Sequence, residues 1–352
     1  MSKKNNNSKE RNCMKKIKSK YIIKQIFYNL CTKKTLQIIC YNKKFQNTLN
    51  KDITDYQNEY FKIKIEIIPV KNIIKKFNFY TNEDRKYYHI YYNDNKKEFK
   101  INELFKGKIK KIIIIIDNNI KSLSKLFFNC ENIEKINFIK FDINDIEDMS
   151  DLFSGCTSLK ELNISNFNSN NVRDMSHMFY RCTSLKEINL SNFKTNKVIN
   201  MCSMFYECSS LKKLNLYTFN TKNVTNMCQM FYKCSSLKEL NFSNFITNNV
   251  TNMSEMFYKC TSLKELYLLN FNTNKVEKMG FMFYECSSLK ELDLSNFHTD
   301  SVTDMFFMFS GCSRLKKLNI SNFKVNEETN IYCMFYRCNS LKQLKCPNEL
   351  IN

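Results

Sequence analysis

Cysteine is the residue type whose spacing in this sequence most invites a chemical interpretation. Nine of the 16 cysteines recur every 26 residues, at positions 130, 156, 182, 208, 234, 260, 286, 312 and 338. Regularly spaced thiols could form a ladder of disulfides or bind zinc. However, the sequence has no C-x-x-C pair, and His89, His177 and His298 have no cysteine at ligand spacing. We therefore predict that the periodic cysteines are small, buried packing residues, with no metal and no cofactor.

The motifs of the common enzyme classes are absent from the sequence. None of the four glycines belongs to a phosphate-binding loop, and neither G-x-S-x-G nor H-E-x-x-H occurs. The acidic pair Glu327-Glu328 lies in a degenerate loop, where a solvated turn is the simpler interpretation. We expect a non-enzymatic protein with no small-molecule substrate.

The 26-residue period indicates a solenoid, because a repeat of this length must stack on its neighbours to bury its apolar face. Two spacings alternate within each repeat. Val224, Met227 and Cys234 follow the three- to four-residue rhythm of a short helix, whereas Leu237 and Leu240 begin the rhythm of a strand. Threonines lie where they could cap the N-terminus of such a helix, at Thr225, Thr251 and Thr303.

The run F-x-x-C-x-x-L-x-x-[IL]-x-[IL], as in Phe179, Cys182, Leu185, Ile188 and Leu190, resembles the BspA-type leucine-rich repeat. The resemblance implies an α/β solenoid, a leucine-rich-repeat horseshoe of about nine 26-residue units, each a strand plus a short helix, over residues 119–352. Ordinary leucine-rich repeats place Asn after the strand, but this chain has Phe. We predict a phenylalanine spine inside the coil, formed by Phe167, Phe193, Phe219, Phe245, Phe271, Phe297 and Phe323.

Three segments precede the repeats. Residues 1–20 have the composition of a disordered basic tail. Residues 21–55 read as amphipathic helices that cap the fold, although their order I-F-Y-N-L…L-Q-I-I-C-Y also resembles an F-box. Residues 56–118 predict a small β-rich capping domain, in which the isoleucine run at 112–116 should be buried on both faces and join the first repeat.

The net charge of +21 is concentrated at the N-terminus. Residues 1–51 hold 14 lysines and arginines against one acid, whereas residues 131–352 hold 25 against 23. Nucleic-acid binding requires a basic stripe along the binding face. The near-neutral repeats disfavour nucleic acid and favour a protein or peptide partner.

The lack of recognisable targeting signals in the sequence predicts a cytoplasmic location. No stretch qualifies as a signal peptide or membrane span, and Ser2 excludes N-myristoylation. Glycosylation sequons begin on the predicted strands, at Asn163, Asn189, Asn241 and Asn319, where glycans would obstruct the repeats. We expect a cytoplasmic protein, with export to the cell surface by a non-classical route as the alternative.

The outward strand positions read Glu-Asn-Ser in most repeats. The exceptions Tyr217, Tyr267 and Leu269 form the predicted contact patch, with Lys213 and Glu265 as flanking polar partners. The sequence thus favours a protein–protein interaction scaffold that binds its partner on the concave strand face. The alternatives are a BspA-like surface adhesin and an F-box-like substrate adaptor of a ubiquitin ligase.

Overall fold

The computed structural model describes residues 22, 46–47, 62–70, 85–100, 105, 107–117 and 120–350. The chain divides into two compact parts, residues 1–62 and 63–352. The predicted tail over 1–20 lies outside the described residues. So does the predicted helical segment over 21–55, apart from Ile22, Gln46 and Asn47, which are helical.

In the described parts of the chain, ten strands alternate with long turn regions. They are β1 (Lys62–Pro69), β2 (Tyr88–Tyr92), β3 (Ile112–Asp117), β4 (Ile133–Phe141), β5 (Glu161–Asn163), β6 (Glu187–Ile188), β7 (Lys213–Leu214), β8 (Glu291–Asp293), β9 (Lys317–Asn319) and β10 (Gln343–Lys345). Short 3-10 turns occur at Arg85–Tyr87 and Asn348–Leu350.

Strands β1, β2 and β3 precede the repeats and continue into the first repeat as one sheet, in the order β2-β3-β1-β4-β5. β1 is antiparallel to β4, and β4 is parallel to β5. The isoleucine strand β3 therefore lies one strand away from the first repeat, and its side chains alternate between buried and half-buried. The expectation that β3 joins the repeat and is buried on both faces was wrong: β1 pairs with the repeat strand and covers its edge.

The repeats stack by parallel pairing of equivalent residues. One residue in each repeat forms a bridge to the residue 26 positions on, and we number the repeat units from it. The nine units begin at Ser122, Asp148, Asp174, Asn200, Asn226, Asn252, Lys278, Asp304 and Asn330. A second parallel ladder joins the short strands, β6 to β7 and β8 to β9 to β10. The chain is a repeat protein with short strands.

The predicted short helix is absent from the described repeats, and a run of turns takes its place. In unit 2, N–H groups at alternate residues donate to carbonyls of unit 3 over 2.7–3.0 Å, from Met149, Asp151, Phe153 and Gly155. Between them, the Leu152 and Ser154 N–H groups donate to the carbonyl three residues back, and the Ser150 N–H donates to Asp148 Oδ1 at 2.9 Å. An α-helix would direct every donor to the carbonyl four residues back. The threonines predicted as caps instead donate to the preceding unit, as Thr225 does to the Ile199 carbonyl at 3.3 Å.

Left-handed backbone conformations make these turns possible. Every unit has two residues with positive φ, four positions apart, such as Asp151 (φ 54°) and Gly155 (φ 76°) in unit 2. Glycine occupies this conformation without strain, but 16 of the 18 positions hold other residues. Stacking against the neighbouring units must stabilise a conformation that costs an L-residue roughly 1–2 kcal/mol.

Two phenylalanine spines run through the stack. The predicted spine, Phe167 to Phe323, is buried throughout, and its rings stack between units at Phe167–Phe193 and Phe271–Phe297. A second spine runs from Phe127 to Phe335 with centroids 5.3–5.8 Å apart and rings within 12° of parallel. Offset-stacked rings at this spacing are a favourable aromatic contact.

A buried hydroxyl column also links successive units. Thr247 Oγ1 donates to the Asn272 carbonyl at 2.8 Å and accepts from the Asn272 N–H at 2.7 Å. The column consists of Ser169, Thr195, Thr221, Thr247, Thr273 and Thr299, all essentially inaccessible to solvent. Each hydroxyl satisfies one donor and one acceptor that burial would otherwise leave unpaired.

His89 bridges two acidic side chains at the N-terminal sheet. Its Nδ1 lies 3.0 Å from Glu98 Oε1, and its Nε2 lies 3.1 Å from Asp117 Oδ2. Burial lowers the pKa of His89, but the hydrogen bonds and charges of Asp117 and Glu98 outweigh it and raise the pKa above 6.5.

Substitutions at Glu255 test the turn conformation, because Glu255 has a φ of 57°. We expect Glu255→Gly to retain or raise the free energy of unfolding, and Glu255→Val to lower it by about 1–2 kcal/mol. If residue 255 were instead in a helix, the Gly substitution would lower the free energy of unfolding by about 1 kcal/mol. Chemical denaturation measures both variants, and a destabilised Gly variant with a tolerated Val variant would contradict the left-handed turn.

His89 should make stability depend on pH. Because its folded pKa is raised, the folded chain binds the proton more tightly, and this stabilisation is lost as the pH rises through the folded pKa. We expect the free energy of unfolding to be higher at about pH 6 than at about pH 8, and His89→Gln to reduce that difference. Denaturation midpoints at the two pH values provide the measurement, and an unchanged difference in the variant would exclude His89 as a source.

Candidate functional site

The strand face of the repeats is polar in most units. Its asparagines have a local structural role, because each side chain accepts a hydrogen bond from the N–H two residues on. Asn163 does so with Ser165 at 3.1 Å, and Asn241 with Ser243 at 2.8 Å. This turn ends each short strand. The predicted Glu-Asn-Ser pattern therefore serves the fold at its Asn position.

The three apolar exceptions predicted from sequence lie on the surface. The exposed fractions are 57% for Tyr217, 69% for Tyr267 and 61% for Leu269. Large exposed side chains of this kind are characteristic of contact surfaces when they cluster.

Hydrogen bonds connect the two tyrosines through the intervening unit. Asn241 Nδ2 donates to Tyr217 Oη at 2.8 Å, and Asn241 forms the parallel bridge with Tyr267. Tyr267 Oη in turn donates to Glu265 Oε2 at 3.1 Å. The hydrogen bond to Glu265 raises the pKa of the Tyr267 phenol, so the hydroxyl stays protonated. Tyr217, Tyr267 and Glu265 are thus linked across units 4 to 6.

An open cleft of about 710 Å³ lies on the strand face of units 6 to 9. Three of the five predicted contact residues line it, Glu265, Tyr267 and Leu269. Tyr217 and Lys213 belong to unit 4 and do not line it. The other lining residues include Lys264, Lys290, Glu291, Asp293, Lys317, Asn319 and Lys345.

The structure also shows a row of exposed lysines that our sequence analysis missed. One lysine stands immediately before the outward strand residues of each unit from 2 to 9, at Lys160, Lys186, Lys212, Lys238, Lys264, Lys290, Lys316 and Lys342. Lys160 pairs with Glu134 at 3.0 Å. The other seven form no ion pair among the residues that the structure describes. The L-K dipeptide that recurs in each of those units was the available signal.

The periodic cysteines are packing residues, as predicted. Those from Cys156 to Cys312 have no exposed surface. Each periodic thiol from Cys156 to Cys338 donates to the carbonyl of the spine phenylalanine 29 residues earlier, over 3.0–3.2 Å. Burial raises the pKa of Cys208 and of Cys260 to about 12 each. These thiols stay protonated and hold adjacent units together.

No cluster of three or more potential metal ligands occurs in the described part of the chain. Among the same residues, none of the helices has the length and hydropathy that crossing a bilayer requires.

Comparison with known proteins places the repeats in a described family. The family model described as "Mycoplasma protein of unknown function, DUF285" matches residues 121–241, 187–289 and 237–346. These three overlapping matches span the stacked units. No curated protein matches the chain, and no solved structure matches it either.

Native alkylation should distinguish the buried cysteines from the rest. We expect the seven fully buried thiols, Cys156, Cys182, Cys208, Cys234, Cys260, Cys286 and Cys312, to remain unmodified by iodoacetamide at neutral pH. All seven should react once the protein is denatured. Peptide mass spectrometry reads out each site, and rapid native labelling of any of the seven would contradict the packing role.

Proposed function

Because the chain belongs to the repeat family described as "Mycoplasma protein of unknown function, DUF285", we propose that its stacked units serve as a non-enzymatic scaffold for a protein or peptide partner. The partner would lie along the strand face of the repeats. A stack of this kind presents equivalent side chains from many units to one extended ligand.

We further propose that the repeats form a solenoid related to the BspA-type leucine-rich repeats. A strand in seven of the nine units, parallel pairing between units and buried leucines such as Leu211 and Leu237 support this relationship. Turns replace the helix of that repeat type, so the relationship rests on the strands and the spines.

The observation that carries the proposal is the exposure of Tyr217, Tyr267 and Leu269 on a strand face that is polar in most units. Units 2, 3, 5, 7 and 8 hold Asn or Asp and then Ser at these positions, and those smaller residues are compatible with the stack. Folding therefore does not require the large side chains. Aromatic residues at the centre of an interface commonly supply much of the binding free energy.

The cleft restricts the shape and the polarity of the partner that could bind there. An extended segment would lie across units 6 to 9, with Tyr267 and Leu269 as apolar contacts. Lys264, Lys290 and Lys345 line the same cleft, and Lys317 is already paired with Glu291 at 2.8 Å. Charges at the rim of an interface mainly affect orientation and association rate.

A triple variant tests the contact patch, in which each residue becomes the one that other units hold: Tyr217→Ser, Tyr267→Asn and Leu269→Ser. A partner recovered by affinity capture with the full chain is purified and its dissociation constant measured by calorimetry. We expect the triple variant to raise that constant at least about tenfold, since truncating two or three interface anchors removes more than about 1.4 kcal/mol.

The matched control is Tyr332→Ser, because Tyr332 is 68% exposed but lies on the turn segment, where other units hold Ser. This control should bind like the unmodified chain. Equal affinity of the triple variant and the control would contradict the proposal. Loss of the partner only on deletion of residues 1–55 would favour the ubiquitin-ligase adaptor instead.

A further inference from the structure

A second set of cysteines lies outside the periodic column. The residue two positions after the start of each unit forms a column on the turn segments: Ser124, Ser150, Ser176, Cys202, Cys228, Ser254, Gly280, Phe306 and Tyr332. Cysteine occupies this column in two consecutive units. Cys202 and Cys228 are only partly buried, unlike the fully buried cysteines of the periodic column in the same two units, Cys208 and Cys234.

Backbone pairing brings these two cysteines side by side. Asn200 and Asn226 form a parallel bridge, and the Ser203 N–H donates to the Cys228 carbonyl at 2.8 Å. Paired strands lie about 4.8 Å apart. That separation falls within the Cα–Cα range of disulfides, about 4.4–6.8 Å.

Side chains in this column also meet across units. Ser150 Oγ donates to Ser124 Oγ at 3.0 Å in the first two units. The Cys202 and Cys228 thiols occupy the equivalent places in units 4 and 5, and each affects the acidity of the other. The two thiols therefore lie near each other without any movement of the backbone.

The pair is also asymmetric in acidity. The hydrogen bond from Cys228 lowers the pKa of Cys202 to about 7, against the opposing effects of burial and of the Asp174 and Glu255 charges. Ser203 Oγ lies 3.5 Å from Cys202 Sγ and donates its own proton to Gln229 Oε1 at 3.0 Å. The Cys202 side chain, in turn, raises the pKa of Cys228. The lower pKa favours Cys202 over Cys228 as the attacking thiolate at neutral pH.

We propose that Cys202 and Cys228 form a reversible dithiol–disulfide site that reacts with small-molecule disulfides. The Cys202 thiolate attacks one sulfur of the small-molecule disulfide, forms a mixed disulfide and expels one thiolate. Cys228 then loses its proton and attacks Cys202 Sγ, which forms the intrachain S–S bond and expels the second thiolate. The protein loses two hydrogen atoms, and the small-molecule disulfide becomes two thiols.

The product would join unit 4 covalently to unit 5. Because the two cysteines already face each other, the bond closes a loop of one repeat period without displacing the ladders on either side. The interfaces between the other units would have no covalent link besides the backbone itself and would still be held by hydrogen bonds and packing. The oxidised chain would thus have one pair of units that cannot separate.

The experiment uses the full-length protein and glutathione disulfide as the probe. After incubation at neutral pH, free thiols are blocked with N-ethylmaleimide and the protein is digested with trypsin. We expect a disulfide-linked pair of peptides, residues 198–212 and 223–233, to become the main product, and dithiothreitol to restore both thiols. Because residues 198–212 also contain Cys208, fragment ions assign the bond.

Single variants test the order of attack and preserve the fold, because serine occupies this column in four other units. Cys228→Ser should accumulate a glutathione adduct on Cys202, whereas Cys202→Ser should form little adduct on Cys228. Cys333→Ser, which changes a partly buried cysteine in the next position of unit 9, should form the linked peptides normally.

Absence of the 198–212/223–233 linkage in excess glutathione disulfide would overturn the proposal. So would a linkage that instead joins Cys208 to Cys228. Adducts that favour Cys228 over Cys202 would overturn the assignment of Cys202 as the nucleophile.

Discussion

The donation of alternate backbone N–H groups to the next unit is the constraint on which the rest of the structure depends. Within each turn segment, half of the donors leave the unit and half close turns inside it. A helix cannot divide its donors in this way. The division requires left-handed residues at fixed positions, so the backbone keeps one conformation from unit to unit although the residues differ.

Equal backbone conformation places equivalent side chains in contact with one another. This favours residues that stack well on their own kind, and phenylalanine, threonine and cysteine each form a column. Like charges would repel in the same arrangement. At the second left-handed position, Glu207 lies between Arg181 and Lys233, at 3.3 and 2.8 Å, so that opposite charges meet across units 3 to 5. These charged contacts are stabilised by variation between units, whereas columns of apolar residues are stabilised by repetition.

Much of this arrangement could be predicted from the sequence. The period identified the repeat, and the inward leucines and phenylalanines follow from it. The helix prediction failed because a spacing of three to four residues suits successive turns as well as a helix. Gly155 and Gly311 occupy equivalent left-handed positions and were the signal for the turns. On the strand face, sequence variation located Tyr267 and Leu269 but not the cleft, because the cleft depends on how neighbouring units are placed.

The regular register has an evolutionary consequence. Contacts between units join residues about 26 positions apart, and equivalent contacts recur from unit to unit. Recombination that adds or removes one whole unit therefore preserves every column and changes only the length of the stack. A single inserted residue would instead misalign all the columns at one junction. The number of units can therefore change much more freely than the length of any one of them, and stacks of different extent can arise without a new fold.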